Sequence, residues 1–141
     1  MKHASGDIGS EAKVFELLEK LFSGVEGLSK TIKTGKMKIQ EFRNANPTPY
    51  GDSPGVYIFI NNGEIVYIGR SLNSLGHRLW EQIKAGENPQ SAPEWASVVN
   101  SNNTNLLIIA LPKDQNYWAS SLETFLIDNT QPRPRFNSRI T

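Results

Sequence analysis

A chain of 141 residues with a formal net charge of +1 suits one hydrophobic core with a modest appendage. It has no Cys and only His3 and His77, which excludes disulfides, thiolate zinc sites, iron–sulfur ligation and a His-rich metal cluster within this chain. No apolar run approaches the roughly 20 residues of a membrane helix and no charged-then-apolar leader opens the chain, so a cytoplasmic or nucleoid-associated protein that is not secreted is expected, without membrane contact.

The opening MKHASGDIGS, residues 1–10, has no periodicity and is expected to be a disordered arm. From Glu11 to Leu28, apolar Val14, Leu17, Leu18, Leu21, Val25 and Leu28 recur at three and four, predicting an amphipathic helix with Ser10 as N-cap. Its stripe must pack on something: the chain's own core by default, or a second copy in a homodimer, or another binding partner. A basic segment follows, with KMKIQEFRNA as a possible second helix, so residues 11–46 read as a helical, partly basic N-terminal extension. NPTPYGDSPG then breaks all regularity, and residues 47–141 read as the main domain.

Beyond the break the order is strand, strand, helix, strand, helix. GVYIFI and EIVYIG are rich in β-branched and aromatic residues. SLGHRLWEQIKAG sets Leu75, Leu79 and Ile83 one turn apart and ends on Gly86. A polar stretch containing Trp95 leads into NLLIIALP, a buried strand. DQNYWASSLETFLIDNT is a helix with Asp114 as N-cap and Trp118, Leu122 and Phe125 inward. The expected class is α/β, with a small three-stranded antiparallel sheet flanked by helices.

Charge is distributed unevenly along this order. Residues 1–50 carry eight Lys or Arg against six acids, residues 51–130 four against eight, and residues 131–141 three Arg and no acid. Affinity for a polyanion would therefore come from the two ends: the run Lys30, Lys33, Lys36, Lys38 and Arg43, and the tail PRPRFNSRIT with Arg133 and Arg135. A solvated surface is the plainer reading of each cluster.

The hairpin PGVYIFINNGEIVYIGRS can be read more closely, because loop length decides which side chains face each other. A two-residue loop, Asn62-Gly63, would pair Tyr57 with Ile68 and put Tyr57 and Tyr67 on opposite faces. A three-residue loop, Asn61-Asn62-Gly63, pairs Ile60 with Glu64 and sets Tyr57 directly across from Tyr67, with Cβ atoms about 5 Å apart. The second arrangement also collects Ile58, Ile60, Val66 and Ile68 on one face and Tyr57, Phe59, Ile65, Tyr67 and Gly69 on the other. It is the arrangement expected here. On geometry alone the two Tyr could be ordinary cross-strand aromatic packing.

GVY followed ten residues later by YIG, then Arg78 in the next helix, Glu123 in the last and Asn137 in QPRPRFN, resembles the GIY-YIG nuclease superfamily over residues 54–138. The resemblance implies a divalent-metal-dependent DNA endonuclease that hydrolyses phosphodiesters of duplex or branched DNA, leaving 5′-phosphate and 3′-hydroxyl ends. Two alternatives stay open: an inactive DNA-binding or assembly module on the same fold, and an RNA-directed nuclease.

By the same resemblance Tyr57 positions or deprotonates the attacking water, Tyr67 bonds the phosphate or assists, and Arg78 clamps phosphate bidentately. Glu123, on an apolar helix flank, is the single protein ligand of one Mg²⁺ or Mn²⁺ ion, unless a cation such as Arg78 is its partner. Asn137 holds the site together by hydrogen bonds. Gly55 and Gly69 are structural, Gly69 allowing close approach at the strand end. Arg70 extends the cationic rim, and Lys33, Lys36 and Lys38 with Arg133 and Arg135 grip the nucleic acid. Two departures stand out: Arg78 follows Gly69 by nine residues, and Gln82 stands where some relatives carry His or Tyr. His77, adjacent to Arg78, points elsewhere and reads as surface.

Overall fold

The computed structural model describes residues 6–22, 32–88, 90 and 92–137. In chain order they form α1 (Gly6–Phe22), β1 (Lys33–Lys38), α2 (Ile39–Asn44), β2 (Gly55–Asn61), β3 (Glu64–Ser71), α3 (Leu75–Ala85), α4 (Pro93–Val99), β4 (Thr104–Ala110), a single 3₁₀ turn (Lys113–Gln115) and α5 (Trp118–Asp128). The four strands make one open antiparallel sheet in the order β1-β4-β2-β3. β2 and β4 lie in the middle and are apolar on both faces, so both faces must be covered.

Helices do this from the two sides. On one face α2, α3 and α4 bring Ile39, Phe42, Leu75, Leu79, Ile83, Val98 and Val99 onto Tyr57, Phe59, Leu106 and Ile108. On the other, α1 and α5 bring Val14, Leu17, Leu18, Leu122 and Leu126 onto Val56, Ile58, Ile60, Ile68 and Ile109. The result is an α/β/α sandwich.

Several expectations need correction. The sheet has four strands rather than three, because Lys33–Lys38, expected in a helical basic arm, pairs along its whole length with β4. KTGKMK has neither alternation nor β-branched runs, and it is a strand because β4 would otherwise leave a row of buried backbone groups unpaired. Its lysines suit an edge. Tyr50 lies over Gly35, where a Cβ would stand 2.1 Å from the Tyr50 hydroxyl. The extension and the domain boundary at residue 47 therefore do not separate two units. The irregular stretch between them packs on α3, whose Leu75 and Gly76 amides donate to the Ser53 and Tyr50 carbonyls.

The first helix starts at Gly6, so Ser10 lies within it rather than capping it, and residues 6–10 belong to the helix instead of a free arm. Val25, Leu28 and Lys30 fall outside the described residues. Val14, Leu17 and Leu18 are buried against the chain's own sheet, the default use of that stripe, and Glu11 pairs with Lys36 across to β1 at 2.5 Å. Asp114 sits in the 3₁₀ turn and does not cap α5, whose inward residues are Ala119, Leu122 and Leu126. The polar stretch around Trp95 contains α4, opened by Pro93 at its first turn. Among the described residues no helix is long and apolar enough to cross a membrane.

Since α1 closes one face of the sheet, Leu18→Ala should lower unfolding free energy by about 2–5 kcal/mol in urea titrations, as for other buried leucines, with no change in oligomeric state by light scattering.

Candidate active site

The hairpin solves its register problem differently from the expectation. The loop has two residues, Asn62 and Gly63, both at positive φ (52° and 81°), as the tight turn of a right-twisted hairpin requires. Asn61 pairs with Glu64 and Ile60 with Ile65. Left regular, this ladder would send Tyr67 to the face opposite Tyr57. Instead the register shifts between Phe59 and Ile60: Val66 is the extra residue of a β-bulge, and Phe59 pairs with Tyr67, Ile58 with Ile68 and Tyr57 with Gly69. The two Tyr share a face as expected, but two residues apart, and Ile65 and Val66 exchange the faces expected for them. Their rings stand 6.1 Å apart, tilted by 42°.

The role of Gly69 changes with this register. It lies under the Tyr57 ring, where a Cβ would meet Tyr57 Cζ and Oη at 2.4 Å. The close approach expected of substrate is made by the Tyr57 side chain. At Gly55, with φ 149°, a Cβ would stand 2.0 Å from the Ile109 carbonyl oxygen, so the backbone admits only glycine there.

Tyr57, Tyr67, Arg70, Arg78 and Glu123 line one cleft of about 300 Å³ at the free edge of the sheet. Tyr57 and Tyr67 reach it from the α3 side. Arg70 alternates with Gly69 along β3 and so belongs to the opposite face, where α5 packs; its Nη1 meets Glu123 Oε1 at 2.5 Å. Glu123 thus has a cationic partner, and it is Arg70 rather than Arg78. The carboxylate is largely sheltered at 15% side-chain exposure while Arg70 is 46% exposed, so the pair can open by movement of the arginine alone. Arg78 lies 3.1 Å from Glu81 Oε1, one turn along α3, and keeps 45% of its side chain exposed. His77 is on the surface, facing Glu81.

Tyr57 is fully buried, and its hydroxyl, which lies near Tyr67 and Arg78, makes no hydrogen bond of regular geometry among the described residues. Burial is the main reason its phenol is pushed far above the ordinary range; the neighbouring Tyr67 adds to this and the Arg78 guanidinium opposes it. Arg78 is held still more firmly in its charged form, chiefly by its bond to Glu81 and also by Tyr57. Tyr57 is therefore a neutral phenol at any working pH, able to donate a hydrogen bond to an anionic oxygen or orient a water.

Asn137 is buried on the outer edge of β3. Its Oδ1 accepts from the Ile68 N–H and its Nδ2 donates to the Ile68 carbonyl, both at 2.9 Å, while the Phe136 N–H donates to the Val66 carbonyl. The tail thereby replaces a fifth strand beside Tyr67 and Gly69. The basic residues are dispersed. Pairing with β4 turns Lys33 to the Tyr57 face and Lys36 and Lys38 to the other, on the edge of the sheet farthest from the cleft. Arg133 is 3.8 Å from Asp128, Arg135 lies over the Phe136 ring, and Arg43 faces Asn100 and Glu87. Sequence reasoning missed Leu72, an exposed apolar side chain at the cleft, because a lone Leu in a loop carries no pattern.

Two measurements check this geometry. An unfolded Tyr ionises near pH 10 whereas Tyr57 keeps its proton when folded, so stability should fall as pH rises past about 10, by at most ~1.4 kcal/mol per pH unit for this group. Tyr57→Phe should remove that share of the loss in urea unfolding on either side of about pH 10. Asn137→Ala should release the Ile68 amide to faster hydrogen exchange and cost about 1–3 kcal/mol.

Compared with known proteins, the chain matches no family model, no curated protein and no solved structure.

Proposed function

We propose that the protein is a divalent-metal-dependent DNA endonuclease of GIY-YIG type, hydrolysing phosphodiesters to 5′-phosphate and 3′-hydroxyl ends. The observation that carries this reading is the buried Tyr57 hydroxyl, which makes no regular hydrogen bond among the described residues although Tyr67 and Arg78 lie beside it. A buried phenol oxygen without a partner costs about 1–3 kcal/mol, and it stands in a cleft with two guanidinium groups and one carboxylate. Such a group is explained by a ligand that supplies the missing partner, and a phosphate with its attacking water does so.

The cleft also fits the metal. Among the described residues no group of three or more His, Cys, Asp or Glu could hold an ion, so the donor set is Glu123 alone with water and phosphate oxygens, the open shell that Mg²⁺ favours. When bound, the ion supplies charge stabilisation and a more acidic water. Arg78 pairs with the two non-bridging phosphate oxygens, exchanging Glu81 for a bidentate anionic partner, and Arg70 does the same as it leaves Glu123. Tyr57 donates to or orients the incoming oxygen and Tyr67 supports it. Tyr57 is unsuited to accept the proton, since its environment opposes the phenolate. Dispersed lysines on the far edge of the sheet favour contact through the cleft rim and tail over a wrapping arm.

Supercoiled plasmid incubated with the protein should be nicked with Mg²⁺ and not with EDTA. Glu123→Ala and Arg78→Ala should each lower the rate by roughly 10²–10³. Tyr57→Phe should lower it comparably while leaving stability at neutral pH unchanged or higher, because an unpartnered hydroxyl is removed from the core. Absence of metal-dependent nicking by the wild type would falsify the reading.

A further inference from the structure

Tyr67 has two sides. One faces the cleft; the other walls a second cavity of about 440 Å³ together with Ala85 of α3, Pro93, Glu94 and Trp95 of α4, and Phe136 of the tail. Its walls are aromatic: Tyr67 and Trp95 stand 5.7 Å apart, and Trp95 and Phe136 4.9 Å apart, both edge to face. The Trp95 indole N–H is already satisfied by the Gln82 carbonyl at 2.7 Å, so the ring offers apolar surface rather than a free donor. Arg135 lies over the Phe136 ring, 4.9 Å from its centroid. Glu94 contributes a carboxylate to the lining.

The geometry points to this cavity as the seat of an unpaired nucleobase belonging to the nucleotide whose phosphate occupies the neighbouring cleft. The proposal rests on the nucleic-acid reading above and specifies the substrate as one with an extruded or unstacked base. Flat aromatic walls take a base by stacking whatever its identity. The Glu94 carboxylate repels a phosphate here and accepts from an exocyclic amine such as cytosine N4. The phosphate belongs on the other side of Tyr67, where Arg70 and Arg78 are, so one nucleotide spans the two cavities around a shared ring. Extruding a base costs least where it is already unpaired, which makes bulged, branched or single-stranded sites the preferred substrates.

The test uses the full chain and two labelled duplexes, identical except that one carries a single bulged cytosine and the other an abasic residue in its place. Binding is read by fluorescence anisotropy in EDTA, so that no strand is cut. The wild type should bind the bulged cytosine roughly tenfold more tightly than the abasic duplex, as loss of a stacked base implies. The ratio should approach one in Phe136→Ala and in Ala85→Leu. Ala85 is exposed near the end of α3, where Leu is tolerated by a helix, so this second variant fills the cavity without removing core contacts. Equal affinity of the wild type for both duplexes, or a preference that survives both substitutions, overturns the proposal. Nicking of the same duplexes in Mg²⁺ is scored in parallel. Nicking with equal affinities leaves hydrolysis standing and removes the base pocket, whereas a base preference without nicking supports the pocket and removes hydrolysis.

Discussion

One extra residue in one strand decides which side chains meet at the candidate site. The two-residue Asn62-Gly63 turn by itself would place Tyr57 and Tyr67 on opposite faces of the sheet, since side chains alternate with a period of two. The bulge at Val66 reverses that alternation for everything beyond it on β3. Tyr67 and Gly69 then join Tyr57, while Ile68 and Arg70 turn to the side of α5. Three features of the cleft follow from this slip: the Tyr57 ring over Gly69, the pairing of Arg70 with Glu123, and the ring of Tyr67 between two cavities. Bulges are common near functional sites because they re-aim side chains in this way.

The cleft lies where the sheet ends, and an edge strand must be protected from pairing with other chains. β3 meets that need with its own tail. Asn137 presents an amide that imitates the backbone of a neighbouring strand, accepting from and donating to the same residue, Ile68. Beyond Ile68, at the end of β3, α3 and α5 approach from opposite sides with Arg78 and Glu123. A site built around a free strand edge can draw residues from both faces, which a site on one face of a covered sheet cannot.

Electrostatically the cleft is self-neutralised. Each arginine has a carboxylate partner, Arg70 with Glu123 and Arg78 with Glu81, and both guanidinium groups remain nearly half exposed. Arg78–Glu81 is exposed on both sides and therefore weak, so that guanidinium exchanges its partner for another anion at little cost. Tyr57 differs, having no regular hydrogen bond among the described residues and a strong environmental preference for its neutral form.

Much of the fold was legible in the amino-acid order. β2, β3 and β4 are apolar and β-branched runs, and α3 has both its stripe and its Ser74 cap, so local chemistry and burial agree there. The convergence of Tyr57, Tyr67, Arg78 and Glu123 was expected from the resemblance, and the structure places all four in one cleft. β1 was not legible, because a polar edge strand exists only to satisfy the backbone of the strand beside it. The partner of Glu123 and the role of Gly69 depend on a bulge that no periodicity announces. The sequence by itself determined which residue types could do chemistry and which segments could form elements. Only the tertiary structure decided the register, because the energy that selects a bulge over a longer loop comes from packing both faces of the hairpin at once, with Ile65 on one core and Val66 on the other.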